Sequence, residues 1–414
     1  MPQFKPFKGV RPVKELAGLF STKSVDAYGE EELQKELQIN SDSFLQIIKP
    51  TWEDENKPTD EKHAEVRANI LKYFNSNHSE IDKSSFYIYQ VTKSDNEQIR
   101  ALIGLVNMKD YKNGTIKKHE ETLTKRVEMF AHYLQNVHFH AEPVLLTYPH
   151  NQRIDLLMDV EMKRLANLSF RDSDGILHEL WQVANRLNLQ QIKNSIEKYD
   201  ALYIADGHHR MESSYVYGQN MQSENPELAS TDLVHYTMAM LVSDKELMIK
   251  DFNRLLKDTN GLSADDFLEK LAIDFEISER GTTPFFPSKK HHLGMYLEGK
   301  FYSLFVKRKA LTVEGLSELD TYLFEESILK PILNIQDSRD DDRIGFIRGT
   351  GNIDGVKNLQ SKVDSGKYKV GFFFYPVAAK DLEKIADLGL KMPPKSTYIE
   401  PKPLSGLTIF QLKE

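Results

Sequence analysis

Between residues 84 and 219 the chain switches between short runs rich in β-branched and aromatic residues and longer stretches with apolar residues three or four apart. "SSFYIYQVTK" and "IRALIGLVNMKDY" have the composition of strands, and "NGTIKKHE" after them reads as a turn. "EETLTKRVEMFAHYLQNV" sets Leu123, Val127, Phe130 and Leu134 at helical spacing, which predicts a helix with that stripe in the core. "EPVLLTY" then reads as a buried strand, "ILHELWQVANRLNLQQIKNSIEKY" as one or two helices, "ALYIA" as a strand and "HHRMESSYVYGQ" as a helix. Further on, "YSLFVKR" and "KVGFFFYPV" read as strands, and "AKDLEKIADLG" as a helix stopped by Gly389. The Pro-rich "LKMPPKSTYIEPKPLSGLTIF" reads as a loop entering a last strand. Alternating strands and helices predict an α/β fold, mixed with α+β features.

At 414 residues the chain exceeds one ordinary core, so two lobes are expected. Polar runs at 51–65, 218–231 and 280–292 are candidate breaks. The expected organisation is an N-terminal region 1–95 packing on a core at 96–255, then a mixed α/β lobe at 256–414 carrying a loop at 391–406. No internal repeat or low-complexity tract stands out.

Lys plus Arg (54) against Asp plus Glu (62) gives a net charge of -8, which argues against a nucleic-acid partner. The absence of cysteine removes disulfides, zinc ribbons and thiol catalysis. No window approaches the apolar length of a membrane span and the N-terminus has no apolar leader, so a soluble cytoplasmic protein with no membrane partner is expected.

Three stretches carry chemistry. In "LYIADGHHRMESS" an apolar strand ends at Asp206-Gly207 and a helix is expected to start near His208, leaving N–H groups that favour an anion. Arg210 adds a planar donor fork, and His208 and His209 can donate hydrogen bonds or protons. The plainer alternative makes Asp206 a helix cap and the histidines solvated first-turn residues. Chelation of one ion by His208 and His209 is disfavoured, because neighbours on a helix point about 100° apart. In "KNGTIKKHEETLTKR" Glu120 and Glu121 are expected in the first helical turn, ionised, and able to take a proton from a hydroxyl. The plainer alternative is that these acids merely offset the helix dipole. A zinc-protease HExxH from His119 fails, since position 123 is Leu123. In "MPPKSTYIEPKPLSG" two prolines stiffen a loop whose Lys395, Ser396 and Thr397 are suited to a carboxylate or phosphate, or form a structural loop. His138 and His140 stand at strand spacing with no third ligand evident, and are read as structural.

Together these segments resemble domain-of-unknown-function family 1015 (DUF1015), through "FKGVRP", "DYKNGTIKKHEET", "YIADGHHR", "DSRDDDRIGFIRG" (337–349) and "MPPKSTYIEPKPLSGL". The order "IGLVNMK", "KKHEET", "EPVLL", "LYIADGHHRMES", "PPKSTY" is similar to that of the free serine kinases of the ParB/sulfiredoxin-like superfamily. The chain departs from the family pattern at Asp26-Ala27-Tyr28-Gly29, where Pro-Tyr-Asp is common, and at Asn253-Arg254, where His-Arg is common.

The resemblance implies a ParB/sulfiredoxin-like catalytic core and a kinase converting free L-serine to O-phosphoserine. Pyrophosphate is the favoured donor, with ATP or ADP next and Mg²⁺ as cofactor. Carried over by position, Glu120, Asp206 and His209 are catalytic. Gly207, His208, His209, Arg210 and Ser213 bind the donor, and Lys395, Ser396, Thr397 and His119 bind the acceptor. Asp206 is the metal ligand, with Lys117, Lys118 and Arg126 in support. No P-loop or kinase-type glycine loop is present, which is consistent with a small inorganic donor. The alternatives are a nucleotide-binding switch or adaptor, and a phosphohydrolase using the same site. A monomer or homodimer is expected.

Overall fold

The computed structural model describes residues 1–53, 56–311, 313–339 and 341–413; two residues of the polar run at 51–65, and Asp340 of the 337–349 motif, lie outside them. The chain is a mixed α+β protein of two compact units. The first comprises Met1–Lys117, Glu121–Leu247 and Pro401–Glu414, the second Lys118–Glu120 and Met248–Glu400.

The first unit is built on a nine-stranded sheet. Its path runs Ile116–Lys117, Leu202–Asp206, Val144–Tyr148, Tyr236–Ser243, Gln98–Asn107, Phe86–Thr92, Leu177–Val183, Leu168–Arg171, with Phe4–Lys5 added on Gln98–Asn107. Most pairs are antiparallel; Leu202–Asp206 with Ile116–Lys117, and Tyr236–Ser243 with Val144–Tyr148, are parallel. Leu102, Leu146, Leu202, Ile204 and Leu241 are fully buried in its core. Each such side chain contributes about 1.5–3 kcal/mol by leaving water. A second sheet of the same unit joins Ser79–Ile81, Gly9–Pro12, Ile409–Gln411 and Phe139–His140.

Several local expectations change. Residues 177–183 form a strand and only Arg186–Ile196 is a helix, because pairing with Phe86–Thr92 overrides a locally ambiguous pattern. The turn at 113–120 includes the short strand Ile116–Lys117. The helix expected from Glu120 begins at Thr124 and has no acidic residue in its first turn. Its buried stripe is Val127, Ala131, Leu134 and Val137; Leu123 is 56% exposed and Phe130 half-buried, so nothing apolar draws residues 120–123 into the helix. Glu120 and Glu121 therefore lie before the helix and are not first-turn residues. His138 ends that helix in the left-handed region (φ 57°), which breaks the strand spacing with His140.

The second unit has a six-stranded antiparallel sheet in the order Phe275–Gly281, Lys300–Val306, His292–Leu297, Val370–Phe373, Phe252–Leu256, Ile344–Arg348. Leu256, Phe267, Leu304, Phe324 and Phe372 fill its core. A separate pair, Met248–Lys250 with Tyr398–Glu400, fixes the end of the Pro-rich loop. Among the described residues no helix is long and apolar enough to cross a membrane.

Candidate functional site

In the first unit the buried strand Leu202–Asp206 runs directly into the helix His208–Glu224. Its register against Val144–Tyr148 shifts between Ile204 and Asp206, an irregularity that re-aims the strand end. Gly207 is the N-cap, with φ 92° and ψ 31°. That left-handed conformation suits glycine, and glycine offers the first-turn N–H groups no side-chain oxygen. Asp206 thus closes the strand, one residue before the cap position.

Around this junction charges are matched. Asp206 Oδ1 accepts a hydrogen bond from Lys402 Nζ, and its Oδ2 accepts one from Arg210 Nη2 at 3.2 Å. Arg210 Nη1 donates to Pro143 O at 2.7 Å and lies 3.2 Å from Glu142 Oε2. Glu142 also accepts from Ser405 Oγ. The guanidinium is therefore held in place, and Lys402 joins it as a second cation.

His209 Nε2 accepts the Leu123 N–H at 3.1 Å, so this nitrogen carries no proton. Burial, then the charge of Arg126, holds its pKa below the usual histidine value. Arg126 itself donates to Asp26 Oδ2 at 2.8 Å. His208 is buried (4% exposed). The Ser213 hydroxyl is fully buried and donates to His209 O at 2.7 Å, inside its own helix. His140 is pushed down to about 3, chiefly by burial and then by Arg210, and is neutral at physiological pH.

The second unit gathers another group. Lys118–Glu120 belongs to it, and Glu120 is half-buried in a bend. Its Oε1 lies 3.9 Å from Nε2 of the fully buried His119. The Met392 N–H donates to His119 O at 2.8 Å, and Lys391 Nζ to Lys118 O at 3.4 Å. Residues 118–120 and the start of the Pro-rich loop, two segments singled out separately in the sequence, are thereby brought side by side.

Within that loop Lys395 is exposed and left-handed (φ 55°), its ammonium 5.7 Å from the Phe252 ring. Ser396 is buried; its hydroxyl donates to Pro393 O at 2.7 Å and meets Thr321 Oγ1 at 2.8 Å. Thr397 is half-buried. The loop rests on Arg254, which is fully buried and donates to Pro394 O at 2.8 Å and Phe252 O at 2.7 Å. Its guanidinium stands 4.7 Å from the Phe346 ring, and burial pulls its pKa down to about 10. Lys402, Glu142 and the supporting role of Arg254 are what sequence reading missed.

No curated protein matches the chain. Among solved structures it is similar to a free serine kinase in complex with AMP, at 12% identity and TM-score 0.35, over 74% of this chain and 91% of that one. It is similar to a conserved hypothetical protein from Pyrococcus furiosus at 11% identity and TM-score 0.33, over 74% and 94% of the two chains. It is also similar to SbnI with C-terminal truncation from Staphylococcus aureus, at 11% identity and TM-score 0.36, over 72% and 82%. A family model covers residues 4–322, leaving the motifs at 337–349 and 392–407 beyond its match. The chain belongs to the family described as "Protein of unknown function (DUF1015)".

Proposed function

We propose that the protein is a phosphotransferase that phosphorylates the hydroxyl of free L-serine, with pyrophosphate as the favoured donor and ATP or ADP next. The observation that carries this reading is the junction at Gly207. A 17-residue helix starts there with glycine at its cap, at the end of a buried strand, with His209, Arg210 and Lys402 at its mouth. Backbone N–H groups and cations so arranged suit the phosphates of a donor. The motif order shared with free serine kinases supports the same reading.

In this reading Gly207, His208, His209 and Arg210 hold the donor phosphates, and Ser213 stabilises the first turns of the helix beneath them. Glu120 accepts the proton of the serine hydroxyl as the new O–P bond forms and the bond to the leaving phosphate or nucleotide breaks. His119, Lys395, Ser396 and Thr397 position the amino acid. Asp206 does not fit a resident Mg²⁺ as arranged, since both its oxygens already take cationic partners. Its role is to fix Lys402 and Arg210, and Mg²⁺ enters as the counter-ion of the donor substrate.

The test is incubation of purified protein with L-serine, Mg²⁺ and, in parallel, pyrophosphate, ATP or ADP, followed by phosphorus NMR. O-phosphoserine is the expected product. Phosphate release independent of serine would replace the kinase with a phosphohydrolase. Tight nucleotide binding without turnover would replace it with a nucleotide-dependent switch.

A further inference from the structure

Away from the Gly207 junction, the first unit holds a cluster of metal-ligating side chains where two of its helices, Thr59–Phe74 and Thr124–Val137, pack together. Asp60 and His63 are three residues apart on the first helix and therefore share a face. His132 on the second helix meets them: its Nε2 lies 2.6 Å from Asp60 Oδ1. One ligand atom from each of the three lies within 4.8 Å of the other two.

Ordinary packing does not account for His63. It is 5% exposed, and its Nδ1 has no hydrogen-bond partner among the described residues. A buried imidazole nitrogen left unpaired is costly, and coordination of a cation in the same cluster gives this imidazole a use that packing does not. Its ring is fixed by Tyr133, edge-on at 5.2 Å, and by the His132 ring at 5.5 Å. Asp60 and His132 are exposed, so the cluster is open to solvent on one side.

We propose that Asp60, His63 and His132 bind a divalent transition-metal ion of the zinc class, with a solvent molecule completing the coordination. Two imidazoles and one carboxylate are the donor set that zinc takes in sites with an open position. Bonds of about 2.0–2.1 Å place tetrahedral ligand atoms about 3.3 Å apart. The cluster reaches that by small rotations of the exposed Asp60 and His132, the ion replacing the hydrogen bond between them. A bound ion would clamp the two helices together and stabilise the folded unit. The site shares no residue with the proposed kinase chemistry and does not depend on it.

The experiment uses untagged protein stripped with a chelator and titrated with Zn²⁺ by calorimetry and with Co²⁺ by visible absorption. One ion per chain is expected, with the absorption of low-coordinate cobalt and a zinc-dependent rise in Tm. His132→Ala and Asp60→Asn should each weaken binding about tenfold or more and abolish the rise in Tm. Both side chains are largely solvent-exposed (48% and 74%), so both variants are expected to fold, which circular dichroism checks. Absence of saturable binding, or unchanged affinity when His132→Ala and Asp60→Asn are combined, would overturn the proposal.

Discussion

Lys402 Nζ donates to Oδ1 of Asp206, 196 positions earlier in the chain, while Arg210 takes the other oxygen of the same carboxylate. Asp206 therefore acts as a post on which two cations are set at the mouth of the helix. Replacing Lys402 by Met leaves Arg210 in place and removes one charge from the donor's surroundings. Charge-assisted hydrogen bonds contribute about 1.5–3 kcal/mol, so the KM for the phosphoryl donor should rise about tenfold or more, with little change in the KM for serine. Initial rates with both substrates varied separate the two; a change confined to serine would contradict the assignment.

Glu120→Gln keeps size and polarity but cannot accept a proton. A loss of about 10²- to 10⁴-fold in kcat is expected, with both KM values nearly unchanged. Full turnover by this variant would remove Glu120 as the base.

Asp320 gives the second unit a pH-dependent stability. Burial pushes its carboxyl up to about 7, although Oδ1 accepts the His291 N–H at 2.7 Å. The backbone of Tyr375 also stabilises the ionised carboxyl, but burial outweighs both backbone contacts. Because the folded pKa lies above the unfolded one, the contribution is fully present below about pH 4 and lost as pH rises toward 7. The loss amounts to about 4 kcal/mol at 1.36 kcal/mol per unit. Denaturant unfolding followed across this range should fall more steeply for the wild type than for Asp320→Asn; parallel curves would refute the assignment.

Gly349 leaves no room for a side chain: an added methyl would fall 1.9 Å from Asp251 Oδ2. Asp251 cannot swing aside, since it is 2% exposed and accepts from Asn253 Nδ2 at 2.6 Å and the Gly351 N–H at 2.8 Å. Gly349→Ala should destabilise the second unit by about 1–3 kcal/mol, read as a lower urea midpoint with an unchanged slope. The second glycine of "IGFIRG" is thus explained by packing.

The junction at residues 202–224 is legible in sequence because its signals are local: a four-residue apolar run, Asp-Gly, then a polar helix. The strand Leu177–Val183 is not, since Leu177, Leu180 and Trp181 satisfy helical spacing as well as strand composition. Only the ladder to Phe86–Thr92 decides between them. The start of the helix at Thr124 is misread for a related reason: Leu123 matches the periodicity, but no core exists for it to enter. Lys402 lies within a motif the sequence singles out, yet nothing near it names Asp206 as its partner. Arg254 is visible as the retained half of the family's His-Arg pair, beside the departure at Asn253, whereas its task of carrying the Pro-rich loop depends on backbone carbonyls that no side-chain pattern encodes.

The second sheet of the first unit places Ile409–Gln411 between Gly9–Pro12 and Phe139–His140. During synthesis the early residues therefore wait, their sheet incomplete, until the ribosome has released the segment after Pro401. Most of the second unit has by then emerged and can fold as a contiguous stretch. Since that late segment also delivers Lys402, a chain interrupted upstream of it would lack both the sheet closure and the second cation. Such a product would leave its early strands as unpaired edges, a target for chaperones and proteases.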